Sequence, residues 1–348
     1  MLIQRPIVML KRTSLKDIAR MVGVSTALVS YVLNNQKQGR ISKEIAQKIR
    51  DTASMLQYRP NQIARSLKTK RTQTIGLIVA DISNPFSASM ARIIEDEADR
   101  HGYTVIFGSS DENPQKSEKL IETLLNRQVD GLIISPPAGV ESQIDQLKTQ
   151  EIPFVLVDRY YPDIDTNWVS LDNYTVTYEA VRHLSANGCN NIGMITYDTS
   201  LFHLLERKRG YFDGIANGRT DFSANLVREV HISNNQEEIE LAVADLLSAP
   251  VDALLFLTNR LAISALKYIN ALPLKVPEDL ALVGFDETES FDFFYSPLTY
   301  IKQPLQSMGE SAVNILLNGI KTKKRSEHVV LSGELVIRKS SVRAAKMN

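Results

Sequence analysis

The chain has 348 residues, of which 43% are hydrophobic, and equal numbers of basic and acidic residues give it a formal net charge of zero. That length and apolar content suit two or three folded domains; no apolar run approaches the roughly 18 to 20 residues of a membrane span, and residues 1 to 12 lack the apolar stretch of a secretory signal, so a cytoplasmic protein is expected. One cysteine, Cys189, and five scattered histidines (His101, His183, His203, His231 and His328) offer neither a disulfide nor metal-ligand spacing, and no cofactor is expected.

The zero net charge conceals a segregation along the chain. Residues 1 to 71 carry fifteen Lys or Arg against only Asp17, Glu44 and Asp51, a balance of +12, which leaves −12 for the rest. A basic head on an acidic body fits a module held to phosphates by counterion release. A solvated basic tail would be poor in apolar residues, yet this head contains Leu15, Ile18, Ala19, Val22, Val24, Val29, Val32, Leu33, Ile45, Ile49 and Leu56.

The first predicted helix follows Ser14, a capping residue ahead of LKDIARMV, and is interrupted at Val22-Gly23-Val24. Ser25 caps a second, TALVSYVLNN, and a third runs from about 42 to 56, opening on Ser-x-x-Ile and ending at Gln57-Tyr58-Arg59-Pro60-Asn61. Two short helices across a glycine turn have the form of a helix-turn-helix, whose second helix enters the major groove. Its base-facing candidates are Thr26, Ala27, Ser30 and Tyr31; Ser25 and Asn34 are candidates for phosphate, while Val29, Val32 and Leu33 fall on the inward side.

Beyond Thr74 short apolar runs alternate with amphipathic stretches. Strands are predicted at 75–80, 103–108, 131–135, 154–158, 191–196, 253–257 and 280–285, with helices at 86–101, 115–127, 173–187, 203–217, 236–248 and 260–271. Such alternation predicts parallel sheets with helices on both faces, and ligands bind those sheets beyond the strands' carboxyl ends. The residues placed there include Asp81, Ser83, Asn84 and Phe86, then Asp158-Arg159, Asn259-Arg260 and Asp286-Glu287: hydrogen-bonding groups with one aromatic, as a hydroxyl-rich ligand needs. Loops at strand ends are often polar, so their joint placement carries more than any single residue. An α/β enzyme is the rival reading, but the chain has no G-x-G-x-x-G, G-x-x-x-x-G-K-[ST] or G-x-S-x-G.

Read as a whole, SLKDIARMVGVSTALVSYVLNN and YRPNQIARSLKTKRTQTIGLIVADISNPF closely resemble the lactose-repressor (LacI/GalR) family, whose heads commonly read LKDIA, GVS, VS-VLN, YRPN, A-SL and DISNPF. LVDRYYP, VSLDN, VRHLSANG, ERKRGY, TNRLA, LVGFDE and YSPLTYIKQP extend the resemblance over essentially the entire chain. It implies an all-α helix-turn-helix head at 1–57, a hinge helix and linker at 58–72, and at 73–343 a two-lobed α/β domain of the periplasmic-binding-protein type (type I) with parallel sheets. With crossings near 172, 298 and 322, the first lobe would take about 73–172 and 298–322, with a helix near 304–318, and the second about 173–297 and 323–343, with the last strands from about 327 to 339.

The resemblance further implies that Tyr58, Arg59 and Asn61 of the YRPN motif serve DNA binding, and that Leu67 wedges into the minor groove, where Ile63 and Ala64 share its face in a paired hinge. Asn84, Phe86, Asp158, Arg159, Arg207, Asn259, Arg260 and Asp286 become the effector-binding candidates. The implied protein is a homodimeric repressor of carbohydrate-utilisation genes on a palindromic operator, allosterically controlled by a sugar; control chiefly by a partner protein is the alternative. Departures from the family are Tyr31 where Arg is usual, which points to a different half-site, Arg260 where Asp is usual, Cys189 for a frequent His, and Val176 for a frequent Gly. Arg260 raises the expectation of an acidic effector such as a uronate or sugar phosphate, unless it pairs with a neighbouring acid.

Overall fold

A computed structural model describes residues 13–34, 40–58, 71–217, 226–232, 236–322 and 325–343. The chain divides into two compact units, one ending at Thr72 and the other beginning at Gln73. The implied boundaries inside the first unit, at 57 and 58, border residues 59–70, which lie outside the described set together with the candidates Arg59, Asn61, Ile63, Ala64 and Leu67.

The first unit holds three helices, α1 (Leu15–Val22), α2 (Thr26–Leu33) and α3 (Lys43–Met55). Ser14 starts α1 by donating from its backbone N–H and hydroxyl to Asp17 Oδ2, at 2.9 and 2.7 Å. Gly23 ends it at φ +80°, a left-handed conformation that glycine adopts without a Cβ penalty. Ser25 accepts from the Leu28 N–H and Ser42 from the Ile45 N–H, capping α2 and α3. The core is small: Ile18, Ala19, Val29, Val32, Ile49 and Ala53, with Leu15, Leu33, Leu56 and Tyr58 packed around it. Thr13 Oγ1, donating to the Leu56 carbonyl at 3.0 Å, ties the start of α1 to the end of α3.

The second unit contains two six-stranded sheets. Its elements are β1 (Thr74–Val79), α4 (Pro85–Arg100), β2 (Thr104–Ser109), α5 (Pro114–Asn126), β3 (Gly131–Ile134), α6 (Glu141–Thr149), β4 (Phe154–Val157), β5 (Trp168–Leu171), α7 (Asn173–Ala186), β6 (Ile192–Tyr197), α8 (Phe202–Ala216), β7 (Val227–Val230), α9 (Gln236–Ser248), β8 (Ala253–Phe256), α10 (Asn259–Ile269), β9 (Ala281–Phe285), β10 (Thr299–Lys302), α11 (Leu305–Lys321), β11 (His328–Leu331) and β12 (Glu334–Val336). The first sheet runs β11-β5-β4-β3-β1-β2 and the second β12-β10-β9-β8-β6-β7. All pairings are parallel except that of β10 with β12.

Strands covered on both faces need apolar side chains in both directions, which explains the unbroken runs in the sequence. In the first lobe Ile133, Val155 and Val157 meet Met90 and Ile94 of α4 and Met308 and Leu316 of α11. Their neighbours Leu132, Ile134 and Leu156 point the other way, to Ile121 of α5 and to Ile144 and Leu147 of α6.

Two of the three expected crossings are corrected. The chain passes between lobes at Asp172, but β10 stays in the second sheet beside β9, so the next crossing follows residue 302 rather than 298. Prolines flank β10 on both sides, Pro297 and Pro304, and the second of them marks the passage. The third crossing lies between β11 and β12 rather than near 322, because His328–Leu331 returns to pair with β5. Strands β5, β7 and β10 and helix α6 were not predicted; in α6 only Ile144 and Leu147 are buried, too few to show a period.

Candidate effector cleft and DNA-reading helix

In the head, α2 has the form of a recognition helix. Val29 and Val32 are buried and Leu33 packs beside them, while Ser25, Thr26 and Ala27 are exposed at the helix start. Ser30 and Tyr31 are half-buried; Asn34 is exposed and donates from Nδ2 to the Ser30 carbonyl at 2.8 Å. Tyr58 packs against the head's core, and burial raises its phenol above the usual value, so its ring serves the fold at least as much as any contact outside it.

In the second unit the strand ends of both lobes face one cavity. All eight effector-binding candidates, Asn84, Phe86, Asp158, Arg159, Arg207, Asn259, Arg260 and Asp286, line it. Asp158 follows β4 and Asp286 follows β9, the third strands of their sheets, and both have left-handed backbones, φ +69° and +67°. Such backbone strain persists where the surroundings over-determine it, as at ligand sites.

Arg207 is buried, 2% exposed. Its Nε donates to Asn173 Oδ1 at 2.7 Å, its Nη1 to the Leu257 carbonyl at 2.6 Å, and its guanidinium lies 3.4 Å over the Phe285 ring. It reaches that place because α8 presses closely on α7. A Cβ on Gly210 would stand 2.4 Å from the Tyr174 carbonyl oxygen, so only glycine permits the approach. Burial pushes the Arg207 guanidinium down to about 10, against the opposing pull of Asp286 and Asp158. Burial likewise raises Asp158, and raises Asp286 to about 6 even though Arg207 and the Gln303 amide favour its charged form.

The other two arginines are committed to carboxylates. Arg159 grips Glu112 with two bonds, 2.8 and 2.7 Å, and Nη1 also donates to the Pro136 carbonyl. Glu112 holds φ +55°, next to Asp111 at +50°, to face it. Arg260 pairs at 2.8 Å with Asp81 of the opposite lobe, and beside it Asn259 Nδ2 donates to Asn84 Oδ1 at 2.8 Å. Arg260 therefore does not stand as an uncommitted cation: the neighbouring acid takes it, which removes the ground for expecting an anionic effector.

The cavity has a volume of about 50 Å³, against roughly 300 to 1,000 Å³ for pockets that hold small molecules, so the lobes must part to admit one. Asp81, read above as a strand-end residue, lines it too, as do Glu112, His203 and Gln303, which were not among the candidates. Gln303 lies in the YIKQP stretch and His203 just before ERKRGY, both within motifs or beside them, whereas only the backbone strain singles out Glu112. Four buried polar atoms of lining side chains lack a hydrogen-bond partner: Arg159 Nε, which stands 3.5 Å from Asp158 Oδ2, His203 Nδ1, Asn259 Oδ1 and Gln303 Oε1.

Residues 72–338 match the family model for periplasmic binding proteins and sugar binding domain of LacI family, and residues 14–61 match that for bacterial regulatory proteins, lacI family. The transcriptional regulator DegA of Bacillus subtilis is 31% identical, over 95% of this chain and 98% of its own. The regulator KdgR of the same organism is 27% identical, over 94% and 97%. The Lac repressor dimer bound to operator and the anti-inducer ONPF shares the fold, with a TM-score of 0.84 at 24% identity, over 96% of this chain and all of that one. The chain is a member of the LacI family of bacterial regulatory proteins: a helix-turn-helix, DNA-binding transcriptional regulator and not an enzyme.

Proposed function

We propose that this regulator is a dimeric cytoplasmic repressor of carbohydrate-use genes whose hold on a palindromic operator is set by a small hydroxylated effector, a sugar, between the lobes. The observation that carries the reading is the set of buried, unpartnered polar atoms in the cavity lining. Each costs free energy until a ligand hydroxyl meets it, about 1 to 3 kcal/mol per group. An occupant that separates the lobes must also break the Arg260–Asp81 and Asn259–Asn84 contacts, so occupancy and lobe geometry are coupled.

On the DNA side Thr26, Ala27, Ser30 and Tyr31 read bases, Ser25 and Asn34 hold phosphates, and Tyr58, Arg59, Asn61 and Leu67 act at the hinge. Tyr31 brings a hydroxyl and a ring where a guanidinium would grip guanine, so the half-site differs from an arginine-reading one. The edge strand β2, with exposed Ile106 and Phe107, offers the first lobe's apolar surface for a second copy. Selection of bound genomic fragments with the purified chain, followed by gel shifts with and without sugars, tests the reading. A sugar-dependent change in operator affinity is expected; operator binding indifferent to every sugar would leave control to a partner protein.

A further inference from the structure

Asp286 anchors the least balanced part of the cleft. Its carboxylate accepts from Gln303 Nε2 at 2.7 Å and from the Asn259 backbone N–H. Because Gln303 turns its nitrogen to Asp286, its other amide atom is the oxygen, and that Oε1 is buried without a partner. Asn259 is oriented just as firmly. Its Nδ2 donates to Asn84 Oδ1, an oxygen that already accepts from the Phe86 N–H, so the unpartnered atom of Asn259 is again an oxygen. Both side chains are over nine-tenths buried, Gln303 at 5% exposed and Asn259 at 0%. One carboxylate and two unpartnered amide oxygens, tied together by the Gln303 and Asn259 hydrogen bonds to Asp286, thus make an acceptor-rich seat, apart from the Arg159 Nε donor, which lies beside Asp158.

Charge points the same way. The lining holds four carboxylates, of Asp81, Glu112, Asp158 and Asp286, against the three guanidinium groups of Arg159, Arg207 and Arg260. Two are spent on Glu112 and Asp81. Arg159 also stands 3.5 Å from Asp158 through Nε and Arg207 faces both Asp158 and Asp286, so three guanidinium groups answer four carboxylates, and His203 is held neutral by burial beside Arg207 and Arg159.

We propose that the effector carries a protonated amine, as in an amino sugar, and that Asp286, Gln303 Oε1 and Asn259 Oδ1 receive it. An ammonium presents three donors and no acceptor, which is what this seat lacks. A neutral hydroxyl meets one acceptor but leaves the excess carboxylate uncompensated. A uronate or phosphate adds a further negative charge, or must take Arg260 from Asp81 and leave that carboxylate unpaired. The proposal deepens the effector reading above and rests on it.

Calorimetry on the full-length protein near neutral pH tests it with three matched sets, gluco, galacto and manno, each as the 2-amino sugar, the neutral parent and the uronate. In a set that binds, the amine is expected to bind about tenfold or more tighter than its parent, and the uronate more weakly than either. Asp286→Asn should bring the ratio of amine to parent towards one. Gln303→Met, which leaves every charge in place, should lower the same ratio in part. A neutral parent or a uronate that binds as tightly as the amine overturns the amine while leaving sugar control of the operator intact. Failure of all nine compounds both to bind and to alter operator affinity overturns both readings.

Discussion

The head and the cleft handle polar groups in opposite ways. In the head, the residues set to meet DNA are exposed or half-buried on α2 and the core beneath them is apolar, so recognition and stability occupy different side chains. In the cleft, Arg207, Asn259, Asp158 and Asp286 are all buried, and the groups that would hold an effector also hold the lobes together. The head can therefore change what it reads at little structural cost. The cleft cannot lose one partner without leaving another buried and uncompensated.

The sharpest way to break that contrast is Arg207→Ala. It strips the guanidinium from between Asp158 and Asp286, and truncating one side of a buried charge set costs about 3 to 5 kcal/mol. Denaturant unfolding should register a loss of that size in the second unit, together with loss of effector response. A loss below about 1 kcal/mol would mean that the cleft tolerates unpaired charge and is no different from the head.

The next effect is of pH. Asp286 is raised from 3.8 to about 6 by burial, in the company of Arg207, Asp158 and the Gln303 amide. A folded value above the unfolded one means that the native state holds the proton more tightly. Its stabilising contribution is full below about pH 4 and is lost as pH rises through about 6. The shift of about two units corresponds to roughly 3 kcal/mol. The difference in unfolding free energy between wild type and Asp286→Asn should therefore favour wild type progressively as pH falls from 7 towards 4. Asp158 is raised too, so the proton belongs to the pair. A pH-independent difference would show that Asp286 is solvated in solution.

What was legible in the sequence follows the same division. The helices of the head, their serine caps and the inward face of α2 are local features, set by residues within a few positions of one another. Buried strands with unbroken apolar runs were legible, whereas β5 (WVSL) and β10 (TYIK), buried as well, carry polar residues that break the run. Strand β7, with Arg228 and Glu229 in VREV, and helix α6, with two buried residues, were not, since neither shows a period. In the cleft the strand-end rule brought together seven of the eight candidates, spread from Asn84 to Asp286, while Arg207, inside α8, came from the family resemblance alone. It could not show pairing: Arg260 meets Asp81 from 179 positions away, and Arg159 meets Glu112 across 47. Sequence alone consequently left open whether Arg260 stands free or pairs with an acid, which the contact with Asp81 answers.

A smaller effect separates rim from floor within the cleft itself. The Arg260 side chain is 47% exposed and Asp81 17%, so Arg260→Ala should cost only about 0 to 1 kcal/mol of global stability. Because the pair joins the two lobes, the same substitution should nevertheless widen the effector-free cleft, read as faster hydrogen exchange at the start of α10 and a larger radius of gyration by X-ray scattering. Unchanged exchange there would assign lobe closure to the deeper contacts alone.

The smallest change in stability belongs to the head, and it sharpens the comparison most. Thr26 is exposed in the first turn of α2, whereas Val29 of the same helix is buried in the core with Ile18 and Ile49. Thr26→Ala should leave unfolding within about 0.5 kcal/mol of wild type. Selection from a randomised half-site library should nonetheless return an altered preference at one or two base pairs, each worth about 1 to 3 kcal/mol of discrimination. Weaker binding with the same sequence preference would place Thr26 on phosphate, and an unchanged affinity would take it out of the interface. Either result would still leave stability untouched, which a substitution of Arg207 or Asp286 should not do, because Arg207 is bonded to Asn173 and the Leu257 carbonyl and Asp286 to Gln303, all of them buried side by side in the fold.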